Sequence, residues 1–233
     1  FLYAVCGVLI IPVIRASDKV IKALIILMLL QPVELVYFII GLINPDTKPL
    51  YLGSNSYFGD IIAAQSAGTI LYVAAAGIKN GLPVNFTWAI EIGRMTQTIL
   101  FFLIGIMLGR KRLFYNEGDN LKTWKKVLVG SVIAFAVLLP LYLFVPKAIE
   151  IRCVSNSLNV ALNMWKNLAM MLFIVSGVTL LYYNTSAKSW LIKIAPYGKM
   201  SLTNYLTQSI FGAMIFYNWG FGLFRYCGHT ASF

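Results

Sequence analysis

The sequence predicts an all-α protein: a polytopic transmembrane helix bundle with about six spanning helices plus one re-entrant or surface helix. Three observations carry that expectation. Hydrophobic residues make up 59% of the chain and charged residues only 12%, against roughly a quarter charged in soluble domains. Residues 20–43 hold two charges, Lys22 and Glu34. At about 1.5 Å of rise per residue, that stretch is long enough to cross a hydrocarbon core of roughly 30 Å. The net charge of +11 gathers in short connections between apolar runs, as topology signals and contacts with anionic lipid do, rather than on a nucleic-acid-binding face.

The apolar runs place spans at 1–14, 20–43, 88–109, 121–145, 157–183 and 200–224. Pro12, Pro32 and Pro140 fall inside spans, where neighbouring helices satisfy the freed carbonyls. The loop after the first span carries Arg15, Lys19 and Lys22. Residues 110–126 carry Arg110, Lys111, Arg112, Lys122, Lys125 and Lys126, and residues 184–199 carry Lys188, Lys193 and Lys199. By the positive-inside rule these three connections are cytoplasmic. That parity holds only if the Ala- and Gly-rich stretch 57–79 does not cross fully, so it reads as the re-entrant or surface helix. Its small residues, from Ala63 to Gly77, suit close packing on neighbours.

Chemistry-bearing residues form two groups. In "NSLNVALNMWKN", Asn156, Asn159, Asn163, Lys166 and Asn167 share about a 100° sector of a helix entering from the outer side. Glu34, in "QPVE", and Glu91 and Arg94, in "WAIEIGR", lie at similar depth, and Glu91 and Arg94 have pairing distance on one helix. Charge at a bilayer centre costs about 2.5–3.5 kcal/mol on insertion scales. These groups are therefore expected to face inward, either as an outer-half polar pocket of Glu34, Glu91, Arg94, Asn163, Lys166 and Asn167 or as ion pairs that only fix helix packing. From the cytoplasmic side, "YGKMSLTNYLTQS" aligns Ser201, Asn204, Tyr205 and Gln208 on one face beside Lys199. That face reads either as a binding surface or as interhelical hydrogen bonding.

Other patterns carry less. Gly105 and Gly109 form a GxxxG pattern, a close-packing signal of weak specificity. Asn85-Phe-Thr87 and Asn184-Thr-Ser186 match the glycosylation sequon. Cys6, Cys153 and Cys227 are isolated and His229 is the single histidine, so no metal site, disulfide framework or cofactor is expected. Soluble-enzyme motifs are absent.

Two stretches resemble the YeiB-like family of bacterial membrane proteins, classed as domain of unknown function 418. "FFLIGIMLGRKRLF" is similar to its apolar helix ending in a Leu-Gly-Arg-basic turn. "APYGKMSLTNYLTQSIFGAMIFYNWGFGLF" is similar to its Pro-x-Gly-Arg/Lys-Met-x-Leu-Thr-Asn-Tyr-Leu stretch with a Gly-aromatic-Gly-Leu-Phe ending; "LYAVCGVLIIP" fits less specifically. Lys199 stands where Arg is usual, so a bidentate anion contact is not implied. The resemblance implies a multi-pass protein of the bacterial cytoplasmic (inner) membrane, in contact with lipids, and places residues 1–233 as one transmembrane domain from the family's carboxy-terminal region. On that reading the chain is a fragment without the family's amino-terminal half and last helix. It also implies distant kinship to integral-membrane acyltransferases. Three function classes stay open: acyl transfer to a lipid-linked or small-molecule acceptor, transport or permeation through an internal polar pocket, and membrane scaffolding.

Overall fold

The computed structural model describes residues 2–67, 69–184 and 187–223. Gly68, Thr185 and Ser186 of the second sequon, Phe224, Cys227 and His229 lie outside the described residues. Among the described residues the regular elements are all helical. They are α1 Leu2–Ile10, continued by a 3-10 turn Ile11–Arg15; α2 Asp18–Leu29; α3 Pro32–Ile43; α4 Ser54–Ala67; α5 Ile70–Glu91; α6 Arg94–Arg110; α7 Asn120–Phe144, followed by a 3-10 turn Pro146–Ala148; α8 Arg152–Asn184; α9 Lys188–Lys199; and α10 Ser201–Phe216.

Among the described residues, three helices are long and apolar enough to cross a membrane: Asp18–Ile43 taken through its break, Asn120–Ala148 and Arg152–Asn184; Ile70–Glu91 and Arg94–Arg110, bent by 79° to each other, make a fourth only if the pair is one span. That is fewer than the six expected, and the reasons are local. The first run tightens into a 3-10 turn at Pro12. The run at 88–109 is divided at Gly93, with residues before it continuing α5 and those after it starting α6. The run at 200–224 stops at Phe216, where the chain turns back on itself. The region 57–79 is shared between α4 and the first half of α5, which continues through Pro83. Asn85 donates to the Gly81 carbonyl at 2.5 Å and Thr87 to the Pro83 carbonyl at 2.9 Å, so the first sequon is part of a helix.

The chain separates into two compact units, residues 1–52 with 89–188 and residues 53–88 with 189–233. In the first, α6 packs on α1 and α2. Leu2, Cys6 and Ala89 form one small core with Met95, Ile99 and Phe102 against it, and Ile21, Leu103 and Met107 form another. Among the described residues, nothing lies within 4 Å of where a Cβ of Gly105 or Gly109 would be, so the pair forms no packing seam there. The α8 helix lies between α7 and α3. Gly41 of α3 sits against Cys153 and Val154, whose atoms come within 3.0 Å of where a Cβ would be. In the second unit, Asn80 of α5 donates to Asp60 of α4 at 3.4 Å. Gln65 of α4 holds the turn after α10 by donating to the Tyr217 hydroxyl at 3.0 Å and accepting from the Asn218 amide at 3.2 Å.

The first unit is closed at one end by a cluster of directed bonds. Arg110, the last residue of α6, donates to Asp18 Oδ1 at 2.6 Å and to the carbonyls of Ile14 and Ala16 at 2.6 and 2.7 Å, pinning the corner between α1 and α2. Trp124 of α7 donates to the Leu113 carbonyl at 2.7 Å, and Tyr183 of α8 donates to the Phe114 carbonyl at 2.8 Å. The planar guanidinium presents several donors in a fixed fork, which an ammonium cannot imitate. Arg110→Lys is expected to lower stability by about 1–2 kcal/mol, read as a lower Tm of the detergent-solubilised protein. Asp18→Asn is expected to cost less, because two of the three bonds end on backbone carbonyls.

Candidate functional site

The middle of the Asp18–Ile43 span is where the polar chemistry concentrates. Proline disfavours helical backbone in the residue before it, and Gln31, before Pro32, adopts φ 50° and ψ 72°. This left-handed conformation costs a residue with a side chain about 1–2 kcal/mol. The break falls about 20 Å from either end of the 26-residue span, deep in the hydrocarbon if the span is upright. Water is absent there, so the polar groups freed by the break need protein partners. The Gln31 amide N–H turns back to the Met28 carbonyl at 3.2 Å, and the Trp165 indole donates to the Leu29 carbonyl at 2.9 Å. The Gln31 side chain donates through Nε2 to the Ala161 carbonyl at 3.0 Å.

Gln31 is 2% exposed, and its Oε1 is buried without a hydrogen-bond partner among the described residues. The amide has no alternative orientation here, because a carbonyl can accept only from the NH₂ group. Beside it is a pocket of about 160 Å³ lined by Gln31, Glu34, Phe38, Ser157, Ala161 and Trp165, among others. Glu34 is 5% exposed, with the Ser157 hydroxyl in hydrogen-bonding reach of its carboxyl. A carboxyl, an unpartnered amide oxygen and two aromatic rings in an apolar wall make a site able to accept hydrogen bonds and face a cation.

The junction also needs Gly93, the residue before α6. Its φ is +66°, and a Cβ there would lie 2.6 Å from Val160 Cγ1 and 4.0 Å from Gln31 Oε1. The break in Asp18–Ile43, the start of α6 and the middle of α8 therefore meet at one point.

The structure divides the outer-half pocket that the sequence suggested. Glu34 sits against the Ser157–Ala161–Trp165 side of α8. Lys166 is nine residues beyond Ser157, hence about 180° around the helix. Its Nζ lies 3.9 Å from the centroid of the Tyr142 ring on α7. Asn163 and Asn167 are half-buried on the Lys166 side. Glu91 and Arg94 are not on one helix, since Gly93 breaks the chain between them. Glu91 accepts from the Leu52 amide at 2.5 Å and lines a separate, wider hollow with Asp46, Lys48, Glu150 and Arg152. Arg94 is half-buried in the first turn of α6. Neither Arg94 nor Lys166 lines the pocket at Glu34.

In the second unit, Lys199 ends α9 and Ser201 begins α10. Ser201, Tyr205 and Gln208 are exposed and Asn204 is half-buried, with its amide donating to the Tyr197 carbonyl at 3.1 Å. Sequence reasoning missed Gln31, Ser157 and Trp165. The one available signal was the Gln-Pro pair at the centre of an apolar run of spanning length.

Gly93→Ala is expected to lower stability by about 2–4 kcal/mol, from the left-handed backbone and the collision with Val160 together. Adding Val160→Ala is expected to recover the collision share and leave the backbone share, checked by Tm for the single and double variants.

A family profile described as "Protein of unknown function (DUF418)" matches residues 108–233. The chain is 25% identical over 165 residues to the uncharacterized protein YxaH of Bacillus subtilis (strain 168), an alignment that covers 71% of this chain and 37% of that protein. The chain thus spans little more than a third of the relative it matches. No solved structure matches it. With more than half of its length inside the profile, this membrane-type helical chain belongs to the DUF418 family.

Proposed function

We propose that the chain forms part of a multi-pass protein of the bacterial cytoplasmic membrane that binds a small polar or cationic substrate inside the membrane and passes it across. The observation that carries this reading is the broken span at Gln31, which buries an unpartnered amide oxygen and the Glu34 carboxyl beside one pocket. Interrupted helices near the bilayer midplane supply substrate and ion sites in transporters, and buried ionisable groups in spans mark pathways. The remaining crossings expected from the charge pattern are assigned to the apolar runs 1–14, 88–109 and 200–224. Here α4 and the first half of α5 stay re-entrant or on the surface.

A second reading is acyl transfer to a lipid-linked or small-molecule acceptor. It is favoured by the open polar face of α10, where Ser201, Tyr205 and Gln208 are exposed next to Lys199.

One experiment separates the two. The full-length protein is reconstituted in proteoliposomes, and transient currents are recorded on addition of small amines and amino acids. Glu34→Gln and Gln31→Leu are expected to reduce the response about tenfold or more while the protein stays folded. Equal currents in wild type and Glu34→Gln overturn the transport reading. Envelope acylation that disappears in a deletion strain and is restored by Glu34→Gln but not by Ser201→Ala with Gln208→Ala establishes the second reading instead.

A further inference from the structure

The polar stripe of α8 that turns away from Glu34 borders a second cavity. A groove of about 500 Å³ lies at the turn between α7 and α8, lined chiefly by Tyr142, Lys147, Arg152, Ser155, Asn156 and Asn159. Ser155 is committed to the turn, donating to the Pro146 carbonyl at 2.6 Å. The two cations are exposed and make no ion pair among the described residues, and no carboxylate lines the groove. A third cation approaches from below. Lys166 lies about 21 Å along α8 from Arg152, and helical side chains lean toward the N-terminus, which carries its ammonium up to the Tyr142 ring at 3.9 Å.

The acids of the neighbourhood, Asp46, Glu91 and Glu150, line the adjoining hollow, which meets the groove at Pro49, Arg152 and Asn156. The groove therefore offers two positive charges, Lys147 and Arg152, with amide donors and no internal counter-ion.

Its position says which anion. The groove caps the ends of two helices of spanning length, Asn120–Ala148 and Arg152–Asn184. Lipid phosphates lie at this depth, and tyrosine prefers it. On the last turn of α7, Leu141 and Leu143 are about 40% exposed and Phe144 is 70% exposed. Exposed cations beside partly exposed aliphatic and aromatic side chains match an amphiphile carrying a phosphodiester above acyl chains. The geometry points to a binding site for the phosphate of a net-anionic lipid headgroup, held by Lys147 and Arg152 with Asn156 and Asn159 as amide donors.

The test uses the full-length protein in nanodiscs of phosphatidylcholine with a minor fraction of phosphatidylglycerol, with retained lipid counted by native mass spectrometry. Wild type is expected to retain phosphatidylglycerol selectively. Lys147→Gln is expected to reduce retention about fivefold, and Lys147→Gln with Arg152→Gln about twenty-five-fold, with Tm unchanged. Lys188→Gln with Lys193→Gln removes equal charge from α9 and is expected to leave retention as in wild type. Retention that survives the Lys147/Arg152 pair overturns the proposal, and so does an equal loss in the α9 pair. Displacement of the lipid by millimolar inorganic phosphate assigns the groove to a free anion and overturns the lipid reading.

Discussion

The first unit is organised by a single requirement: a helix broken in hydrocarbon must find protein partners for every polar group that the break releases. Gln31 and Pro32 impose the break, and α8 supplies the partners, a backbone carbonyl at Ala161 and an indole N–H at Trp165. These two bonds tie the end of α2 and the start of α3 to the same two turns of α8. The close approach of α3 follows, with Gly41 against Cys153 and the Cys153 thiol donating to the Tyr37 carbonyl at 3.3 Å. Gly93 completes the arrangement, since any side chain there meets Val160.

Continuous apolar runs were legible in the sequence to within a few residues. The run at 121–145 is α7, Asn120–Phe144, and the run at 157–183 is α8, Arg152–Asn184, which begins earlier because the stretch Arg152 to Asn156, interrupted by the polar Arg152, Ser155 and Asn156, is still helical. Breaks were not legible. Gln31–Pro32 reads as a tolerated kink unless the partners on α8 are known, and these lie far away in the chain. The lysines of 184–199 read as a connection, yet Lys188–Lys199 is a helix, because charge density sets the side of a membrane without forbidding helical backbone. The stripe from Asn156 to Lys166 was legible as one sector of α8. Spacing along α8 gives no information on which neighbour that sector faces, and the carboxyl expected opposite it is on the other side.

The family's sequence pattern acquires physical content from the geometry. The arginine ending the Leu-Gly-Arg turn is Arg110, the clamp on the α1–α2 corner. The asparagine of the Leu-Thr-Asn-Tyr stretch is Asn204, whose amide closes the step from α9 to α10 on the Tyr197 carbonyl. The first glycine of the Gly-aromatic-Gly ending is Gly220. A Cβ there would overlap the Met214 carbonyl, against which the chain folds back so that Phe221 can bond it at 2.9 Å. These positions hold turns. In this chain Gln31 and Glu34 lie outside the residues that the family profile matches, and the α8 side of their pocket lies inside.

The separation of Gln31 from its acceptor bears on how the protein is made. The two residues stand 130 positions apart. At about 5–20 residues per second, the ribosome delivers Ala161 roughly 7–26 s after Gln31. Each half of the broken span is only 12 residues, about 18 Å, too short to settle in a bilayer alone. The insertion machinery therefore receives Asp18–Ile43 as one hydrophobic unit, with its glutamine side chain unmatched. The elbow becomes permanent only when α8 arrives, so this part of the bundle is assembled in the order in which it is translated.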